Sequence, residues 1–196
     1  MPMLQLEKKL KEILSPEVFE HSIKVKDYCY DLARHYKCDP EKLSIAGLVH
    51  DCGKVYSSDE LISKAEDFDI SITEMILSSP VNTLHGVMGA NYAREKLGID
   101  DNEILTAVKY HTYGSEDMNI FTKLLFIANK VFSIDKKYSD QIEEVKKTVL
   151  KDIDQAVLMT FDIMLKSYIL EGKLINPQLV TSRNKILMSL KNINKI

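Results

Sequence analysis

No stretch of this sequence approaches the ~20 apolar residues that a membrane-spanning helix needs. The amphipathic opening "MPMLQLEKKLKEIL" also lacks the charged start and greasy block of a signal peptide. A cytoplasmic protein without a membrane partner is expected. Cysteine is sparse: Cys29, Cys38 and Cys52 are odd in number and form no CxxC pair, which removes a disulfide framework and a zinc-thiolate site. They are expected to be small buried or half-buried thiols. Positive charge is not in excess either. With 26 Lys and Arg against 29 Asp and Glu, the formal net charge is −3 and lysines are scattered among acids, so no nucleic-acid partner is expected. Any anionic ligand must be met by a local site. No alternating strand pattern, internal repeat, low-complexity tract or long linker stands out. The 196 residues, 45% of them hydrophobic, suffice for one core. One domain over 1–196 is expected, with about 140–196 as a C-terminal helical layer.

What the chain does have is punctuation for helices. Ser15-Pro16-Glu17 and Asp39-Pro40-Glu41 each place a capping side chain, a proline at the first helical position and an acid in the first turn. Gly98 and Gly172 follow helical patterns where a left-handed residue is wanted, and Asn176-Pro177 ends one segment and opens another. Periodicity predicts helices over about 4–14, 16–36, 40–51, 59–67, 71–78, 85–97, 101–111, 119–134, 139–149, 152–171 and 177–192. The chain reads as all-α.

Five histidines fall on these helices, four of them on apolar faces. His21 lines up with Val25, Tyr28, Cys29, Leu32 and Tyr36; His50 follows Leu43, Ala46 and Gly47; His85 heads Met88, Gly89, Tyr92 and Ala93; His111 closes Ile104, Ala107 and Val108. His35 lies off the stripe and reads as a surface residue. Any one inward histidine is most simply a core residue with one hydrogen bond. Four together, one followed by Asp51, would need four separate partners, and a shared metal supplies them at once. Imidazole and carboxylate suit iron, manganese, zinc or nickel. Neighbours on a helix diverge by about 100°, so His50 and Asp51 can converge only where the helix ends; Gly53 is expected to let the backbone leave there. Two nearby patterns are decoys. Gly53-Lys54 is no phosphate loop, because Val55 follows the lysine and Leu48 holds the required glycine position. Asp67 and Asp69 open like a calcium loop, yet Ile72 and Ser78 occupy its glycine and bidentate-acid positions.

The order His21, His50-Asp51 and a late polar helix residue resembles the HD superfamily of metal-dependent phosphohydrolases. Five segments, "HSIKVKDYCYDLARHY", "AGLVHDCGK", "SPVNTLHGVMGANYAREKLGI", "AVKYHTYG" and "GKLINPQLVTSRN", are similar in order and spacing to its YqeK branch, symmetrical diadenosine tetraphosphate hydrolases. The resemblance implies an all-α HD-domain helical bundle around two divalent metals, typically iron, with Asp51 bridging. His21, His50 and Asn129 would hold one ion, and His85 and His111 the other. Lys54 would neutralise charge on the nucleotide substrate, with Lys24, Thr112 and Arg183 contacting phosphate. The chain departs from the family in three places. Asn129 stands where an aspartate is expected, on the face of Leu125 and Phe132; Lys24 replaces an arginine; Ser115 replaces a basic residue. Loss of the carboxylate at 129 leaves open a second reading, a nucleotide- and metal-binding module with weakened turnover, and another nucleotide as substrate. A helical scaffold with structural histidines is the third reading. A homodimer is left open.

Overall fold

Helix-opening signals act where they stand in the sequence. Ser15 accepts from the Val18 amide and Pro16 begins the second helix; Asp39 accepts from the Lys42 amide and Pro40 begins the third. The computed structural model describes residues 2–67 and 70–191. Their helices are α1 (Met3–Ile13), α2 (Pro16–Tyr36), α3 (Pro40–Val49), α4 (Ser58–Asp67), α5 (Glu74–Ser78), α6 (Pro80–Leu97), α7 (Asn102–Tyr110), α8 (Ile120–Ser133), α9 (Ser139–Val149), α10 (Ile153–Leu170) and α11 (Pro177–Leu190). No strand occurs among the described residues, so the fold is all-α. Gly98 and Gly172 both adopt positive φ, as the helix ends require. Residue 192 of the last expected helix, and Asp69 of the rejected calcium loop, lie outside the described residues.

Three boundaries differ from expectation. α6 begins at Pro80 rather than near 85, because Pro80 takes the first helical position as Pro16 and Pro40 do, here without a capping bond from Ser79. α5 starts only at Glu74, where Thr73 caps the Ile76 amide. α3 stops at Val49, and Cys52–Val55 forms a 3-10 turn instead of a continued helix.

α8 is buried on nearly every side, including Phe121, Thr122 and the run from Leu124 to Val131, which marks it as the central helix. α2, α7 and α10 pack against it, α3 bridges α2 and α7, and α9 and α11 rest on α10. One apolar cluster extends from Leu6 to Ile186. A smaller one, Leu61, Ala65, Ile76, Leu84 and Met88, ties α4 and α5 to α6. Cys29, Cys38 and Cys52 are free thiols, Cys38 the least buried. No described helix is long and apolar enough to cross a membrane.

The 3-10 turn presses on α6. A Cβ added to Gly53 would stand 2.1 Å from the His85 carbonyl oxygen and 2.7 Å from the Gly89 nitrogen. Close backbone approach therefore requires glycine here. A left-handed conformation is not the reason, since the positive-φ glycines among the described residues are Gly98, Gly114 and Gly172. Gly53→Ala is expected to cost about 3 kcal/mol in urea denaturation, because backbone cannot give way as a flexible side chain can. A midpoint equal to that of the wild type would contradict this contact.

Candidate metal centre

His50 and His111 are the residues that end α3 and α7. Each folds its ring back so that Nδ1 donates to a carbonyl three residues earlier, Gly47 at 2.7 Å and Val108 at 2.6 Å. Last-turn carbonyls lack intrahelical partners, so one contact both satisfies the helix end and orients the ring. His85, in the second turn of α6, donates from Nδ1 to the Val81 carbonyl at 2.6 Å. A carbonyl oxygen can only accept. In all three rings the Nδ1 proton is therefore engaged and Nε2 is left as the inward-facing atom.

These inward atoms converge. His85 Nε2 and His111 Nε2 are 2.9 Å apart, and His21 Nε2 and His50 Nε2 are 3.2 Å apart. Asp51, only 1% exposed, lies between the two pairs. Its Oδ1 is 3.3 Å from His85 Nε2 and 3.5 Å from His111 Nε2; its Oδ2 is 3.3 Å from His50 Nε2 and 3.8 Å from His21 Nε2. Each carboxylate oxygen serves one pair. Lys54 Nζ also donates to Oδ2, at 2.8 Å. Asn129 Nδ2 donates to the His111 carbonyl at 3.4 Å, which turns Oδ1 to within 3.0 Å of His21 Nε2. Thr112 Oγ1 lies 3.3 Å from His85 Nε2 and 3.2 Å from His111 Nε2.

Burial disfavours a proton on two of these rings. Desolvation pushes His111 down to about 3 and His21 down to about 4, so both rings are neutral at physiological pH. Burial alone would raise Asp51, but its electrostatic interaction with His50 and bonds with His111, His50 and His85 outweigh it and hold the carboxyl well below the usual range. Ligands about 2.1 Å from one ion and at right angles to each other stand about 3 Å apart, close to the spacings within each pair. Two groups, His21–His50–Asp51 and Asp51–His85–His111, can each hold a metal ion. Imidazole and carboxylate without thiolate fit a divalent metal. Without metal, stability is expected to fall as pH drops from about 6.5 toward 4: the unfolded chain takes up protons there that folded His21 and His111 refuse. Thermal melts of chelated protein across that window check the sign, and a flat profile would contradict it.

A cavity of about 820 Å³ opens over the cluster, lined by His21, Asp51, His85, His111 and Asn129 together with Lys24, Lys54 and Thr112. Arg183 is not in this lining. Instead Asp162 on α10 accepts from its Nε at 2.8 Å, and Nη1 donates to Asn184. His35 is exposed, with Nε2 2.9 Å from the Leu150 carbonyl.

The HD domain family model matches residues 18–155. The chain belongs to the HD domain family. It is 25% identical to a symmetrical bis(5'-nucleosyl)-tetraphosphatase of Halalkalibacterium halodurans, over 93% of this chain and 95% of that one. It is 32% identical to the Staphylococcus aureus protein of the same name, over 62% and 61%. A solved structure from Clostridium acetobutylicum, a predicted HD superfamily hydrolase involved in NAD metabolism, superposes with a TM-score of 0.87 at 28% identity, covering 96% and 98% of the two chains.

The periodicity of this HD domain hid one residue at the site. Lys130, beside Asn129 on α8, is buried and lines the cavity. Burial pushes its ammonium down to about 8, against the pull of the Asp51 carboxylate. A lysine in the middle of the apolar run "LLFIANKVF" was the available signal. Phe132, expected on the inward stripe of Asn129, is instead 39% exposed at the cavity wall, its ring edge-on to Tyr28.

Proposed function

We propose that this HD domain is a metal-dependent phosphohydrolase that splits diadenosine tetraphosphate into two ADP molecules. The observation that carries the reading is the division of Asp51 between two histidine pairs, one oxygen to each, at the floor of an open cavity. The names of the tetraphosphatase relatives support the substrate. In this reading His21, His50, Asn129 and Asp51 would hold one ion, and His85, His111 and Asp51 the other. We assign iron to both, with manganese, zinc and nickel as the competing ions. Bound there, the metals would supply an activated water and polarise the phosphoryl oxygens. The chain's own groups do the rest. The Nδ1 bonds of His50, His85 and His111 fix their rings before substrate arrives. Lys54, held at Asp51, and Lys24 offset charge on the four phosphates, while the Thr112 hydroxyl offers a donor to a phosphate oxygen. Water adds to one of the two central phosphorus atoms, the bridging oxygen leaves on the other, and both products are ADP.

Chromatography of products from metal-loaded protein and diadenosine tetraphosphate tests this reading. ADP alone is expected; AMP with ATP, or no turnover in any of the four metals, overturns it. Chelation provides a second check. A metal held only by the folded chain at a thousandfold excess over its Kd contributes about 4 kcal/mol, or roughly 10 °C in Tm for a chain of this length. An unchanged Tm would favour the scaffold reading. We also read residues 1–196 as one domain in which α9–α11 form a C-terminal layer, supported by the apolar cluster that runs through α8 into α10 and α11.

A further inference from the structure

We propose that Lys130 is a phosphate-binding residue whose ammonium receives an oxygen of the substrate's phosphate chain. α8 is the most enclosed helix of the molecule, and at residue 130 its sequence places a lysine that is only 8% exposed. The stem is buried while Nζ keeps its access to the cavity, so a ligand that displaces water there must supply the counter-charge, because removing an ion from water costs several kcal/mol when nothing replaces the lost hydration. Among the described residues no carboxylate or hydrogen-bond acceptor reaches it. Nζ stands over the face of the Phe126 ring, 5.7 Å from its centroid. Asp51, the buried carboxylate of the cavity, already takes the ammonium of Lys54 at 2.8 Å.

The position lines the same cavity as the histidine cluster, so the space into which Lys130 can donate is the space a ligand would fill. Lys24, Lys54, Lys130 and Lys136 against Glu17, Glu20 and Asp51 leave the lining with an excess of positive charge, and bound metal cations would add to it. An anion in the cavity removes the imbalance. A point charge with three rotatable donors suits a phosphate oxygen, which need not be met by a planar fork. A lysine kept only for packing would be better replaced by methionine of similar length, so a role in binding and a cost in stability go together here. The nucleotide class rests on the proposed function above; the anion requirement rests on the unpaired Lys130 ammonium facing the cavity.

Calorimetry with ADP and with adenosine, on metal-loaded wild type and Lys130→Met, tests the assignment. Methionine is expected to weaken ADP binding about tenfold, leave adenosine binding unchanged, and hold or raise the Tm of the ligand-free protein. A loss of ADP affinity below about threefold, an equal loss for adenosine, or a wild type that does not bind ADP overturns the proposal. If the methionine variant does not fold, Lys130→Gln is judged by the same thresholds. Cleavage is not needed for this measurement, so a protein that fails to split diadenosine tetraphosphate yet binds ADP through Lys130 separates the two readings.

Discussion

Asp51→Ala is expected to lower hydrolysis of diadenosine tetraphosphate by ~10³-fold or more and to leave the purified protein with little metal. Its effect should exceed that of any single histidine because its two oxygens face different pairs, 3.3 Å from His50 on one side and 3.3 Å from His85 on the other. Removing a histidine spares one group; removing this carboxylate withdraws the only anionic ligand from both. Histidine brings no negative charge, so each group would have to hold a dication with imidazole and amide or hydroxyl oxygen alone. Folding should survive, since α3 keeps its Asp39 cap and its packing against α2, and circular dichroism will verify that. Metal analysis and the rate are read on the same sample. A variant with a tenth of wild-type activity and full metal content would remove Asp51 from the centre of the mechanism.

The second large effect is expected at Asn129. Asn129→Asp should bind metal at the His21–His50 group at least ~10-fold more tightly, and turnover should rise with occupancy. A carboxylate there adds a negative charge at ligand distance from a dication, an attraction of several kcal/mol at an effective dielectric of ~20, reduced by the cost of desolvating it. The amide oxygen is already turned toward His21 at 3.0 Å by the bond from Nδ2 to the His111 carbonyl, so the change alters charge more than placement. Titrating metal into chelated protein while following stoichiometry measures it. A large gain in rate would identify the wild type as a weakened member of the family; no gain in affinity or rate would show that the amide is a sufficient ligand and that the chain turns over as it stands.

Local chemistry decided much of the fold. The caps of α2, α3 and α11 and the glycine ends at 98 and 172 could be read directly, because each involves residues a few positions apart. The start of α6 was legible in Ser79-Pro80 but overlooked, which made His85 appear at a helix start instead of in its second turn. Convergence of four inward histidines on Asp51 was foreseen from their apolar faces and from the family resemblance. Their order around the carboxylate was not. The pairing of Arg183 with Asp162, on a different helix, is invisible to periodicity.

Composition, helix signals and the HisAsp pair therefore determined by themselves that the protein is all-α and that imidazoles gather inside it. Only the tertiary structure decided which oxygen of Asp51 faces which pair, why Gly53 must lack a side chain, and that Lys130 ends in the cavity without a counter-charge. Helix boundaries depend on contacts within one turn of chain. Those other features depend on distances between segments up to 108 residues apart, such as His21 and Asn129, which no local pattern encodes.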